Sequence, residues 1–189
     1  VLDALRALQG ASRVKLMMRQ LPTFSGDIIS GFVDLALERA FVYKEAAPSE
    51  MVPLEGPARD SEKTARFSML ETLADHDDEL MEQLLEDIQP PRDKVFDGLA
   101  KELREGLVCP VLLGSATRTN GVLRLLKALR HEVAGVAQTA ARLGVSGSDP
   151  VAFVIKTLHT QHGGKLSVAR MLSGEAGDGT TFNTPHGEA

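Results

Sequence analysis

The sequence predicts a mixed fold, in which an α/β part is followed by a β part, and three patterns support it. Apolar residues recur with a helical period between residues 58 and 105. The continuous apolar run LVCPVLLG, between Gly106 and Gly114, is typical of a strand buried on both faces of a parallel sheet. Beyond residue 150, apolar residues alternate in two segments, as they do in an antiparallel hairpin.

Residues 1–57 are broken into short segments by glycine and proline. The leucines at three-residue steps in residues 1–10 predict an amphipathic helix that ends at Gly10. Apolar, β-branched and aromatic residues then predict short strands, the second and third forming a hairpin. These strands are Val14–Met18, which Pro22 closes, then Phe32–Leu35, Arg39–Tyr43 and a short one at Met51–Leu54.

Helices are expected from Ala58 onwards. The predicted inner positions are Phe67, Leu70, Leu73, Ala74, Leu80, Leu84 and Ile88, and, after Pro90 and Pro91, Val95, Leu99 and Leu103, with Gly106 as the stop. Apolar residues at this spacing usually pack in a core. The alternative is that Phe67, Leu70 and Leu73 form an apolar docking face.

The most informative stretch is CPVLLGSATRTNGVLRLLKAL, which reads as a buried strand, a loop and a helix. Ligands in α/β sheets bind beyond the carboxyl ends of strands, where Gly114, Ser115 and Ala116 lie. Small residues there let main-chain N–H groups approach a planar base, and guanine O6 is a suitable acceptor. The alternative is that Gly-Ser-Ala only forms a tight turn. The helix is predicted to have Asn120 as its N-cap and to turn Val122, Leu125, Leu126 and Leu129 inward.

Beyond a linker at residues 144–150, the alternating segments PVAFVIKTL and KLSVARMLSG predict a hairpin joined by a turn at residues 162–164. The segment TTFNT reads as a third strand.

Composition and charge exclude several classes of protein. No run of eighteen apolar residues occurs, and a single cysteine provides no disulfide, so neither a membrane span nor a disulfide framework is expected. A cytoplasmic protein is predicted. Residues 45–105 hold 17 acidic and 7 basic side chains, which argues against nucleic-acid binding by this segment and permits a basic protein partner. The chain starts inside a helical pattern, without an initiator Met, so a longer parent protein is expected.

Three other groups of residues invite a chemical role, but none is expected to have one. The run from Asp75 to Asp78, including His76, points in several directions if helical, and His159 and His162 have no third ligand nearby in the sequence. Cys109 is predicted to be buried in its strand, where a thiol is unreactive. We therefore expect no metal site and no catalytic residue.

Four stretches together resemble elongation factor G and the elongation factor G-like translational GTPases. PVLLGSATRTNGVLRLLKAL resembles the segment whose Ser-Ala motif reads guanine. QLPTFSGDIISGFVDLALERAFVY resembles the start of the inserted subdomain, LETLADHDDELMEQLLED its acidic helical segment, and PVAFVIKTLHTQHGGKLSVARMLSGEAGDGTTF the opening of the second domain.

This resemblance implies part of a P-loop GTPase α/β domain with an inserted α+β subdomain, followed by the first strands of a β-barrel. The implied parts are the G domain at 1–24 and 105–143, the insert at 25–104, and the second domain at 149–189. Gly114, Ser115 and Ala116 would lie on the guanine side, with the Ala116 N–H distinguishing guanine from adenine.

The resemblance also implies partners and cofactors for the parent protein. These are the ribosome, including the large-subunit stalk protein, and GTP or GDP with Mg²⁺, without membrane or direct DNA binding. No G-x-x-x-x-G-K-[ST] loop occurs in the 189 residues, and neither does a switch segment or an Asn-Lys-x-Asp motif. This chain alone is thus expected to bind nucleotide very weakly or not at all and to be inactive.

Some features depart from the family. AGVAQTAARLGV stands where the family has a proline-rich turn, which indicates a divergent paralogue. Two alternatives remain: a ribosome-protection or recycling factor of the same GTPase class, and a nucleotide-free protein-interaction module that acts through its acidic helices.

Overall fold

The computed structural model describes residues 2–45, 47–161, 163–184 and 187–188. The chain divides into two compact units, Val1–Val133 and Ala134–Ala189. Both contain helices and strands, so the predicted mixture of α and β structure is confirmed. The finer domain boundaries stay predictions.

The first unit contains five helices and six strands within the described residues. The helices are α1 (Leu2–Gln9), α2 (Pro57–Ala74), α3 (Asp78–Leu85), α4 (Arg92–Glu105) and α5 (Val122–Glu132). The strands are β1 (Lys15–Met18), β2 (Gln20–Ser25), β3 (Ile28–Asp34), β4 (Arg39–Lys44), β5 (Ala47–Val52) and β6 (Val108–Val111).

The two strands β1 and β6 form a parallel pair, with Lys15 opposite Val108 and Met18 opposite Val111. Parallel strands need a long crossover connection, and here residues 19–107 supply it. The predicted parallel pairing of the LVCPVLLG strand is confirmed. Its predicted burial on both faces is wrong, because only Val108 is buried in β6, and Cys109 is exposed.

A four-stranded antiparallel sheet, in the order β2-β3-β4-β5, follows directly after β1. The predicted hairpin between β3 and β4 is confirmed, with Phe32 opposite Phe41. Strand β2 was not predicted, because Pro22 was expected to close the preceding strand. Proline lacks an N–H but is tolerated on an edge strand, and β2 is an edge of this sheet.

The core of the first unit lies where α2, α3 and α4 pack on the sheets. It includes Met17, Leu35, Ala36, Met69, Leu70, Leu73, Leu80, Val95 and Leu99. Leu70 and Leu73 are each 1% exposed, so the alternative that they belong to a docking face is wrong. Phe67, the first member of that stripe, is 46% exposed. Helix α4 ends as predicted, at Gly106 in the left-handed conformation that glycine adopts readily.

The described part of the second unit contains a short helix, α6 (Val136–Arg142), and strands β7 (Val151–Thr160), β8 (Gly164–Ser173), β9 (Asn183–Thr184) and β10 (Gly187–Glu188). Strands β7 and β8 form the predicted antiparallel hairpin. Part of its turn, at His162, lies outside the described residues. The predicted third strand is reduced to Asn183–Thr184, which pairs with β10.

Among the described residues, no helix is both long and apolar enough to cross a membrane.

Candidate functional site

The candidate site is the loop of residues 112–121, between the carboxyl end of β6 and the start of α5. Its neck is formed by two glycines. A Cβ placed on Gly114 would lie 2.8 Å from the carbonyl oxygen of Asn120, and one on Gly121 would lie 2.4 Å from that of Leu113. Gly121 also has φ +74°, which other residues rarely adopt. The two ends of the loop can therefore approach this closely only because both residues lack a side chain.

Hydrogen bonds inside the loop decide which of its amides are free. The Ser115 N–H donates to the carbonyl of Asn120 at 2.9 Å, and the Thr119 N–H donates to the carbonyl of Ala116 at 3.2 Å. The hydroxyls of Ser115 and Thr117 lie 3.2 Å apart. Ala116 is exposed, and its own N–H has no hydrogen-bond partner in the part of the chain that the structure describes.

The three predicted base-side residues are thus not equivalent. The Ser115 amide closes the loop, whereas the amide of Ala116 is available to a ligand. Gly114 is exposed at the neck. Base recognition by these residues stays a prediction. The Ala116 N–H is available to donate a hydrogen bond to a base, whereas the Ser115 N–H is not.

The main chain at the start of the loop is anchored by two side chains from the four-stranded sheet. The Leu113 N–H donates to Oε1 of Gln20 at 2.6 Å, and the Tyr43 hydroxyl donates to the Leu113 carbonyl at 3.3 Å. Burial raises the pKa of Tyr43, so its hydroxyl stays protonated and remains a donor. Gln20 is completely buried.

An open groove of about 680 Å³ lies between the outer side of the loop and the strands β3 and β4. Ile28, Ile29 and Tyr43 line one side, and residues 117–120 line the other. Ile28 is 65% exposed, so the groove has an apolar rim beside the loop.

Helix α5 begins after Gly121, and two predictions about it are wrong. Asn120 is not the N-cap, because it pairs with Ser115 inside the loop while Gly121 occupies the cap position. The predicted inward leucines are exposed, with Leu125 at 44%, Leu126 at 54% and Leu129 at 51%, and Val122 is half-buried. The helical period was identified correctly, but no described element of the first unit covers that face.

Two ion pairs hold α5 instead, one buried and one partly buried. Arg19, only 2% exposed, contacts Glu132 at 2.9 Å and lies over the ring of Phe96. Arg124 contacts the buried Asp34 at 2.5 Å. The two ends of α5 are thereby attached to the β1–β2 junction and to the end of β3.

The acidic run at residues 75–78 has structural roles. Asp75 pairs with Lys15 at 2.7 Å, and the hydrogen bond from Lys15 lowers the pKa of Asp75. Asp77 caps α3 by accepting from the Leu80 N–H at 3.0 Å. Within the described ranges, no three His, Cys, Asp or Glu residues converge as metal ligands do. His162 lies outside the described residues.

Sequence reasoning missed two buried acids. Glu62 and Glu102 are 1% and 3% exposed, and burial raises the pKa of both, that of Glu102 to about 7. For Glu62, the nearby Glu38 raises the pKa further. The only signal was position, since Glu102 follows Leu99 by three residues on the inner face of α4.

Comparison with known proteins identifies relatives of the chain. No protein-family model matches it. An elongation factor G-like protein of Synechocystis sp. (strain PCC 6803) is 37% identical over 184 residues, which cover 96% of this chain and 27% of that protein. Elongation factor G 1 of Borreliella burgdorferi is 32% identical over 115 residues, which cover 60% of this chain and 17% of that protein. The chain thus spans about a quarter or less of these curated relatives.

A solved structure supports the fold. A crystal structure of a protein from Thermus thermophilus matches with a TM-score of 0.75 and 23% identity, over 100% of this chain and 27% of that one. With one relative aligned over 96% of its length and a second over 60%, the chain is homologous to a segment of the elongation factor G and elongation factor G-like proteins.

Proposed function

We propose that this chain is a segment of a ribosome-associated translational GTPase of the elongation factor G-like kind, which couples GTP hydrolysis to movement of tRNA and mRNA. Within that protein, the loop of residues 112–121 contributes the guanine side of the nucleotide site. The observation that supports this most directly concerns Ala116, which is exposed beyond the carboxyl end of β6. Its N–H has no hydrogen-bond partner among the described residues.

The chemistry of the purine explains why one amide is sufficient for selectivity. Guanine presents an acceptor, O6, where adenine presents an amino group, which is a donor. A main-chain N–H at Ala116 therefore attracts guanine and opposes adenine. A bound base would cover the Ala116 N–H, and leaving a covered donor unpaired costs about 1–3 kcal/mol. This cost corresponds to roughly five- to 150-fold in affinity.

The phosphates and Mg²⁺ must be bound elsewhere. The 189 residues contain no phosphate-binding loop, so this chain alone should bind nucleotide very weakly and hydrolyse none. The ribosome is the proposed partner of the parent protein. Contact with the stalk protein would have to use a surface other than Leu70 and Leu73, which are buried.

The test is a titration of the full-length parent with GDP and Mg²⁺ in a calorimeter. Ala116→Pro removes the N–H, while Ala116→Gly keeps it and serves as the matched control. Ser115 forms an isolated antiparallel bridge with Asn120, and the extended backbone that is typical of a bridge accepts a following proline. We expect tight binding by the wild type and the glycine variant, and weakening of at least about fivefold by the proline variant.

Absence of GDP binding by the wild-type parent would overturn the proposal and favour a nucleotide-free interaction module. If GDP binds tightly but the parent does not promote translocation on ribosomes, a ribosome-protection or recycling factor is the better assignment.

A further inference from the structure

The main-chain pairing of β1 with β6 ends just after Met18. The Arg19 N–H donates to the Val111 carbonyl at 3.1 Å, which continues the parallel ladder one step beyond Met18. In a regular ladder the Leu113 N–H would next donate to the Arg19 carbonyl. That carbonyl instead accepts from the Leu35 N–H at 3.1 Å. Leu113 thereby loses its main-chain partner.

Gln20 supplies the missing acceptor. Its Oε1 accepts the Leu113 N–H at 2.6 Å, in the place that a strand carbonyl would have filled. From the other side, the Tyr43 hydroxyl donates to the Leu113 carbonyl at 3.3 Å. We call these two contacts the Leu113 clamp. Both main-chain polar groups of one residue are thus held by side chains of the four-stranded sheet.

The clamp lies directly at the neck of the loop. Leu113 precedes Gly114, and its carbonyl oxygen is the atom that a Cβ on Gly121 would approach to 2.4 Å. Ser115 is in turn bonded to Asn120. A shift of Leu113 would therefore move both ends of the loop and carry the Ala116 amide with it.

The buried carboxamide contributes little to stability on balance. Its Nε2 is buried and has no hydrogen-bond partner among the described residues. The cost of that unpartnered donor offsets the bond that Oε1 makes. The effect of Gln20 is geometric, because its completely buried side chain fixes the position of the Leu113 main chain relative to the four-stranded sheet.

We propose that Gln20 and Tyr43 are positioning residues of the guanine site, which set the place of the Ala116 N–H and thereby its selectivity for guanine over adenine. This inference rests on the proposed function. Hydrogen bonds weaken steeply as their angle departs from linear, so a small displacement of the loop reduces the discrimination. Phosphate contacts, made elsewhere in the parent, should not depend on the clamp.

The experiment uses the full-length parent with Mg²⁺ and competition against a fluorescent GDP, which also measures weak competitors. The variants are Gln20→Met, which keeps the length of the side chain but removes the acceptor, and Tyr43→Phe, which removes only the hydroxyl. Glu50→Gln is the control, because it weakens an exposed ion pair of the same sheet with Lys44 and does not touch Leu113. The dissociation constants of GDP and ADP and the midpoint of thermal unfolding are measured for each.

We expect the ratio of ADP to GDP dissociation constants to fall by about three- to tenfold in each clamp variant, within the range of one hydrogen bond. Glu50→Gln should leave that ratio unchanged. An unchanged ratio in the clamp variants, or equal weakening of GDP and ADP, would overturn the positioning role. If Gln20→Met does not fold, Tyr43→Phe alone decides.

The two proposals fail in different ways. A wild-type parent without affinity for GDP overturns the proposed function itself. A parent in which Ala116→Pro lowers the preference for GDP, while both clamp variants keep it, retains the function and refutes the clamp.

Discussion

Replacing Glu102 with glutamine is expected to remove a destabilisation of the first unit that grows as the pH rises. Glu102 lies on the inner face of α4, is 3% exposed, and has one carboxyl oxygen, Oε2, that is buried without a hydrogen-bond partner among the described residues. Burial raises its pKa from 4.5 to about 7, and the nearby Asp75, Asp77 and Glu105 add to the rise, against an opposing effect of Lys101. Glutamine has the same shape as a protonated glutamate but does not ionise.

The size and sign of the effect follow from the two pKa values. The folded state binds the proton more tightly than the unfolded chain, so ionisation of Glu102 opposes folding. The stability associated with the neutral carboxyl is fully present below pH 4.5 and is lost as the pH rises through about 7. A difference of about 2.5 pKa units corresponds to roughly 3 kcal/mol in the free energy of unfolding.

The free energy of unfolding is measured by urea denaturation at pH 5 and pH 8, monitored by far-ultraviolet circular dichroism. Glu102→Gln should differ from the wild type by less than about 1 kcal/mol at pH 5 and be more stable by about 2–3 kcal/mol at pH 8. Asp97→Asn, which removes an exposed carboxylate of the same helix, is the matched control and should show no such pH-dependent gain. A Glu102→Gln difference that is the same at both pH values would refute the reasoning.

Two further predictions concern the attachment of α5 and the neck of the loop. Arg19→Met should lower the free energy of unfolding by about 3–5 kcal/mol, because it leaves Glu132 buried without its partner. The double variant Arg19→Met/Glu132→Leu should recover much of that loss. Urea denaturation of both variants tests this expectation, and a double variant as unstable as the single one would contradict it. Gly121→Ala should cost more than about 1–3 kcal/mol, since φ is +74° and the new Cβ would lie 2.4 Å from the Leu113 oxygen. Gly144→Ala has a similar φ, +70°, but open space around it, so a smaller loss in thermal unfolding is expected there, and equal losses would show that contact with Leu113 is unimportant.

Local patterns allowed most helices and hairpins to be predicted. The period of the apolar residues in α2 and α4, and the alternation in β7 and β8, arise from side chains a few residues apart. Such patterns identify an element and its apolar face. They do not show whether another element covers that face, and for this reason the leucines of α5 and the thiol of Cys109 were wrongly expected to be buried.

The position of the candidate loop can be predicted from the sequence, but the hydrogen bonds within the loop cannot. Small residues after a buried strand indicated an accessible main chain at Gly114–Ala116. The Ser115 amide is not available, because Ser115 pairs with Asn120 across the neck. That pairing requires the close approach of two glycines seven residues apart, and nothing in their local pattern specifies it.

Neighbouring residues and motifs are enough to predict most of the helices and strands, the family resemblance and the position of the loop. The side chains that support the loop can be identified only in the folded structure. Gln20 replaces a strand carbonyl for Leu113, 93 residues further along the chain, because the Arg19 carbonyl is already bonded to Leu35. Such hydrogen-bond partners depend on the residue at which the chain passes from one sheet to another. The periodicity of apolar residues in the sequence does not identify that residue.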